Sequence, residues 1–193
     1  MTGVVLCGGK SSRMGSDKGL IEQQSEAWGE LSANKLIALK LPVVLSVNEQ
    51  QYPLYSSKFT QLQLIKDDVF LDVYGPLKGI LSVHLLQPYN DLLVLACDMP
   101  AMQKEVIDYL IQTSSGKKEE AFVFLNDKYA EPLCALYTTK GLKKIYEKYK
   151  QGQLKKHSLH YVLENINTCY LAIPGKWKEY FINYNSPDDL NNL

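Results

Sequence analysis

The segment Leu6–Leu20 reads L-C-G-G-K-S-S-R-M-G-S-D-K-G-L and holds the densest chemistry in the chain. An apolar run that ends in Gly8-Gly9 brings backbone N–H groups close to a ligand, because no Cβ intervenes. Ser11 and Ser12 add hydroxyl donors, and Arg13 and Lys18 add two cations that suit an anionic polyphosphate. Neither G-x-x-x-x-G-K-[ST] nor G-x-G-x-x-G occurs here, so this is not the phosphate loop of a P-loop or dinucleotide fold. A second candidate is Asp98, between the apolar run Leu92–Ala96 and Met99-Pro100. A carboxylate at the carboxyl end of a parallel strand faces the crevice where such sheets bind ligands. Magnesium in such a place is held by one or two carboxylates plus phosphate oxygens. An aspartate before X-Pro also simply closes a turn, so the residue alone leaves both readings open.

Gly75-Pro76-Leu77-Lys78-Gly79-Ile80 reads as a tight turn entering a helix, either a plain helix start or one whose first N–H groups face an anion. In F-I-N-Y-N-S-P-D-D-L, residues 181–190, Asn183 and Asn185 alternate along an extended stretch and so share a face. Ser186 and Pro187 then suit the cap and first position of a helix.

The glycine-rich string closely resembles the signature L-x-G-G-x-S-x-R-M-G-x-D-K of the molybdenum cofactor guanylyltransferases, nucleotidyltransferases with a Rossmann-like fold. The resemblance implies that Leu6, Cys7, Gly8, Gly9 and Lys18 line a nucleotide, and that Arg13, Lys18 and Asp98 are catalytic. A-C-D-M-P resembles the family's metal-binding motif, which makes Asp98 the ligand of Mg2+. The family's G-P-L-x-G-[ILM] segment is matched from Gly75, which implies that Gly75 lines the nucleotide. Asn48 and Asp67 fall where the family contacts the guanine nucleotide, and either side chain can read a base edge or a ribose, with Asp68 sharing the second register. The ending resembles F-x-N-x-N-x-P-x-[DE]-L, which implies that Asn183 and Asn185 lie on the pterin side. Where the family usually carries G-K-P-L before its first helix, Gln24–Trp28 reads Q-S-E-A-W, so the approach to that helix does not follow from the resemblance.

The implied activity is transfer of GMP from GTP to the phosphate of molybdenum-molybdopterin, with release of pyrophosphate. Transient contacts with molybdoenzymes or other cofactor-biosynthesis proteins accompany it. Alternatives are transfer of CMP to the same acceptor, of a nucleotide to a sugar phosphate, or carriage of cofactor without catalysis. Gly8-Gly9 argues against the first, because the cytidylyl relatives tend to show A-A-G; the N-x-N ending argues against the second. Retention of both Lys18 and Asp98 argues against the third.

These groups need a scaffold, and the hydrophobic pattern supplies one. Strands are expected over Thr2–Cys7, Pro42–Val47, Leu62–Ile65, Leu92–Ala96 and Ala121–Leu125, then Leu133–Tyr137 and Thr168–Ile173. Helices are expected over Glu26–Lys40, from Pro76 to about Leu86, and over Gln103–Thr113, Lys140–Lys150 and Leu154–Leu163. This alternation predicts an α/β fold of one domain, 1–193, with a mostly parallel central sheet and helices on both faces. The resemblance implies that this is the Rossmann-like nucleotidyltransferase fold, with residues 1–100 on the nucleotide side and 101–193 on the pterin side. Cys7 and Cys97 end the first and fourth strands, so they either border the nucleotide or are small buried residues. The basic stretch with Lys143, Lys144, Lys148, Lys150, Lys155, Lys156, His157 and His160 reads as a solvated helix face, from which one or two groups can meet the pterin phosphate.

Composition narrows the class further. With 193 residues the chain can bury a core without disulfide or metal staples, and zero formal charge gives no field toward nucleic acid or an anionic membrane. No apolar run reaches the roughly 18–20 residues of a membrane span. Cys7, Cys97, Cys134 and Cys169 lack C-x-x-C spacing, and His84, His157 and His160 do not complete a zinc site. Reduced thiols predict a cytoplasmic location.

Overall fold

Val4 and Val5 point to opposite faces of one strand, yet both are fully buried, so that strand is covered on two sides. The computed structural model describes residues 1–8 and 17–184. Strand β1 (Thr2–Leu6) is followed, after a 3-10 turn at Lys18–Leu20, by a small hairpin of β2 (Glu22–Gln23) and β3 (Glu26–Ala27). Then come α1 (Trp28–Ile37), β4 (Val43–Val47), α2 (Tyr52–Lys58), β5 (Gln63–Lys66), α3 (Pro76–Leu86) and β6 (Leu92–Ala96). The rest is α4 (Lys104–Ser114), β7 (Ala121–Asn126), β8 (Tyr129–Tyr137), α5 (Thr139–Lys150), α6 (Leu159–Glu164), β9 (Thr168–Ala172) and a 3-10 segment at Gly175–Phe181.

Seven strands form one sheet in the order β5-β4-β1-β6-β8-β7-β9. Every neighbouring pair is parallel except the two that β8 makes with β6 and β7. The chain steps outward from β1 through β4 to β5, then crosses back to place β6 on the other side of β1. The crevice at the carboxyl ends of β1 and β6 is therefore the switch point where such sheets take ligands.

Side-chain alternation sorts the strands into two cores. Val5, Leu45, Leu93, Leu95, Phe122 and Phe124 face α1, α2, α4 and the late 3-10 segment. Val4, Leu6, Val44, Leu92, Val94 and Val123 face α3, α5 and α6. Helices thus cover both faces, as the alternation of elements predicts.

Four local features differ from the sequence expectation. Helix α2 lies in a stretch, Y-P-L-Y-S-S-K, too short and polar to show a helical period; it is anchored by fully buried Tyr55. Strand β8 extends four residues earlier than Leu133, because pairing with β7 continues past a bulge to Asn126 and Tyr129. Helix α6 starts only at Leu159, after Gly152 at φ +67°, with Ser158 accepting a hydrogen bond from the Tyr161 N–H as its cap. The Q-S-E-A-W approach to α1 is the β2–β3 hairpin, which turns through Gln24 and Ser25 at φ 52° and 72°.

Candidate functional site

The carboxyl ends of β1, β4 and β6, with the start of α3, enclose a cleft of about 540 Å³. It brings together Leu6, Cys7, Gly8, Lys18, Asn48, Asp67, Gly75 and Asp98 from segments scattered over the first half of the chain. Gly9, Arg13 and Asn185 lie outside the described residues, as do Ser186 and Pro187.

Asp98 follows β6 by two residues, and its loop is held from three sides. The Cys97 N–H donates to the Leu6 carbonyl (3.2 Å), Lys35 of α1 donates to the Pro100 carbonyl (2.6 Å), and Met99 and Met102 are buried. Lys18 reaches across 80 residues of sequence to place Nζ 2.8 Å from Asp98 Oδ2. The other carboxylate oxygen, Oδ1, is buried with no hydrogen-bond partner among the described residues. A buried carboxylate oxygen left bare is costly, and a cation is the usual remedy. No group of three or more His, Cys, Asp or Glu side chains that could hold a metal occurs among the described residues. One carboxylate suits a hard cation that takes its remaining ligands from phosphate oxygens and water.

Gly8 and Gly75 have different reasons to be glycine. At Gly8 an added Cβ would meet, among the described residues, only the Asn48 nitrogen, at an ordinary 3.9 Å. Gly75 has φ +67°, a conformation side chains rarely adopt, and it turns the chain into α3. Helix α3 thereby opens on the cleft through Gly75, Pro76, Lys78 and Gly79.

Asn48 and Asp67 sit just beyond the ends of β4 and β5. The side-chain oxygen Oδ1 of Asn48 accepts the Gln51 N–H (2.9 Å), which leaves its NH2 as a donor suited to phosphate, ribose or base oxygens. Asp67 is an acceptor, with its carboxyl held above the usual range by burial and partly drawn back by Lys78. The cleft therefore presents a donor and an acceptor on one wall. Asn183 is half-buried, and the next residue ties it to the site: the Tyr184 N–H donates to the Asp98 carbonyl (3.0 Å) while its ring packs edge-on to Trp28.

Part of the basic region lies elsewhere. Lys140 and Lys144 pair with Glu120, which precedes β7 at the opposite end of the sheet, and Lys148 donates to the Asn165 carbonyl. His157 reaches the rim, its ring 5.3 Å from that of the cleft residue Tyr74. Tyr74, and the buried polar groups Gln51 and Tyr55, carry no signal in the sequence reading; Gln51 could have been suspected only from its spacing of three from Asn48.

Cys7 and Cys97 both line the cleft and both are nearly inaccessible, at 5% and 4% exposure. The Cys97 thiol is raised well above its ordinary range by its hydrogen bond with Cys7 and by burial. Burial also pushes Cys134 up to about 12. Thiolate is the reactive form, so iodoacetamide should modify half-buried Cys169 first and the other three slowly. Peptide mapping of the alkylated protein reads that order. Saturating Mg-GTP should slow Cys7 and Cys97 further; labelling that it leaves unchanged would remove both thiols from the nucleotide's neighbourhood.

Comparison with known proteins bears on this cleft. The family model described as a MobA-like NTP transferase domain matches residues 3–165. A Pyrococcus furiosus protein named probable molybdenum cofactor guanylyltransferase is 35% identical, over 99% of this chain and 95% of its own length. A protein of the same name from Flavobacterium johnsoniae is 33% identical, over 100% of this chain and 96% of its own. Among solved structures, molybdopterin-guanine dinucleotide biosynthesis protein A from Archaeoglobus fulgidus superimposes with a TM-score of 0.81 at 24% identity, covering 100% of this chain and 96% of that one. At that identity the likeness speaks for the fold.

Proposed function

The chain belongs to the MobA-like NTP transferase family and is a nucleotidyltransferase, and on that premise we propose that it transfers GMP from GTP to the phosphate of molybdenum-molybdopterin. The products are pyrophosphate and molybdopterin guanine dinucleotide. The curated relatives named as guanylyltransferases support this acceptor and this base. The observation that carries the chemistry is the Lys18–Asp98 pair, 2.8 Å apart, with a buried carboxylate oxygen beside it that has no hydrogen-bond partner among the described residues.

In this reading Gly8 and the donor of Asn48 receive the nucleotide, and Asp67 accepts from its base or ribose. The acceptor phosphate is already anionic near neutral pH, so no general base is needed. One of its oxygens forms a bond to the α-phosphorus as the bond to the bridging oxygen of the β-phosphate breaks. The electron pair leaves with pyrophosphate. Lys18 holds charge on the polyphosphate, and Arg13 is assigned the same role. Asp98 Oδ1 would hold Mg2+, which when bound supplies neutralising charge to the phosphate oxygens. Asn183 and Asn185 are assigned to the pterin, with residues up to about 100 serving the nucleotide and the later ones the acceptor.

No helix among the described residues is long and apolar enough to cross a membrane. Four free cysteines support a cytoplasmic location, where transient contact with molybdoenzymes or other cofactor-building proteins would deliver the product.

The test is a product assay. The purified protein is given magnesium, molybdenum-loaded molybdopterin and each of the four nucleoside triphosphates in turn, and pyrophosphate and the nucleotide freed by hydrolysis of the product are measured. GMP from the GTP reaction alone is expected. CMP instead would keep the mechanism and overturn the base; no transfer by a folded protein that binds GTP would overturn the acceptor.

A further inference from the structure

Behind Lys18 lies a buried polar network that the proposed chemistry does not use. Asp17 Oδ1 accepts from the Tyr55 hydroxyl (2.6 Å) and from the Gly19 N–H (3.2 Å), so the residues on both sides of Lys18 are fixed. Asp17 Oδ2 accepts from Gln51 Nε2. The same nitrogen donates to the Cys7 carbonyl at the end of β1 (2.9 Å), and Gln51 Oε1 accepts the Asn48 N–H at the end of β4 (3.0 Å). One side chain, 8% exposed, thus ties together the three segments that form the nucleotide wall.

The chemistry of each member is fixed by its neighbours. Gln51 faces two acceptors, the Cys7 carbonyl and Asp17, and one donor, the Asn48 N–H, so only an amide satisfies all three. Tyr55 is fully buried and burial raises its phenol far above the ordinary range, so it remains a donor. A Cβ on Gly19 would collide with the Tyr55 hydroxyl, which presses the backbone after Lys18 against the network.

We infer that Asp17, Gln51 and Tyr55 are positioning residues, a clamp that sets where Lys18 presents its ammonium in the cleft and against Asp98. The inference rests on the reading of Lys18 as the phosphate-binding lysine. It places the specification of that lysine in Asp17, in Gln51 at the cap of α2 and in Tyr55 of α2, none of which is among the residues lining the cleft.

A double-mutant cycle with a labelling readout tests it. Tyr55→Phe, which removes only the hydroxyl, should lower kcat for nucleotidyl transfer about tenfold with a smaller change in the KM for GTP. Isosteric Gln51→Glu should lower it further, because a carboxylate would oppose both Asp17 and the Cys7 carbonyl. Either change, made in a Lys18→Ala background, should cost less than about twofold more, since a clamp has nothing left to position. A purely structural role would give additive losses in both backgrounds and would overturn the inference. Competitive acetylation by acetic anhydride, read by mass spectrometry, follows Lys18 without any enzymatic assay. Lys18 should label several-fold faster in Tyr55→Phe than in the wild type while Lys35 does not change; equal labelling of Lys18 would overturn the clamp. Where Tyr55→Phe does not fold, Asp17→Asn replaces it in both arms. A wild type that transfers no nucleotide would count against the proposed function, and the labelling arm would still decide the clamp.

Discussion

Asp98→Ala should lower nucleotidyl transfer by about a hundredfold to a thousandfold while the protein stays folded. The carboxylate has two separate tasks, and alanine removes both. Oδ2 faces Lys18 at 2.8 Å, and Oδ1 is the buried oxygen without a partner among the described residues. If Oδ1 holds the metal, the variant should also lose its saturable response to magnesium, which an initial-rate titration reads. Asp98→Asn separates the tasks, because an amide keeps the shape but is a poor ligand for a hard cation. The cost to stability should be small, about 1 kcal/mol, since Lys18 keeps 20% side-chain exposure and can turn to water. The Asp98 carbonyl, which accepts the Tyr184 N–H, is backbone and survives the substitution. A fully active Asp98→Ala enzyme would sink the metal assignment.

Lys18→Ala should cost about a hundredfold in kcat/KM, with a different signature. Magnesium dependence should persist, because Asp98 remains. Affinity for GTP and for inhibitory pyrophosphate should both weaken, because the lost ammonium opposes charge on the polyphosphate in the bound and departing forms. Lys18→Arg should recover part of the rate but not all: a planar guanidinium cannot occupy the point that a compact ammonium holds against Asp98. Steady-state rates with GTP varied, together with product inhibition by pyrophosphate, distinguish the two variants. Wild-type rates for Lys18→Ala would remove the lysine from the reaction and the purpose of the clamp with it.

The two substitutions should not simply add. Lys18 and Asp98 are in direct contact, 2.8 Å apart. A double variant should therefore lose less than the product of the single losses.

What the sequence determined by itself was local. Leu92–Ala96 is apolar at every position because both faces of β6 are buried, and a short apolar run closed off by Asp91 before it and Cys97-Asp98 after it reads directly as a strand. Pro76 marked the start of α3, because proline suits the first turn and glycine before it supplies the positive φ. Gly8 and Lys18 read as part of a phosphate-binding string from residue type and spacing, whereas Leu6 and the metal role of Asp98 followed from the family resemblance. The tertiary structure decided everything that depends on distant parts of the chain meeting. No local pattern specifies that β8 runs antiparallel between β6 and β7, since pairing energy depends on which strands the crossovers bring side by side. Nor does it specify that Lys18 meets Asp98, 80 residues away, or that Gln51 reaches Cys7, 44 residues away. Asn48 to Tyr55 reads as an ordinary polar loop, N-E-Q-Q-Y-P-L-Y, because hydrogen-bonding capacity is the same in water and in a core. Only the packing of α2 under the cleft removes that water and turns Gln51 and Tyr55 into fixed, fully used partners of Asp17.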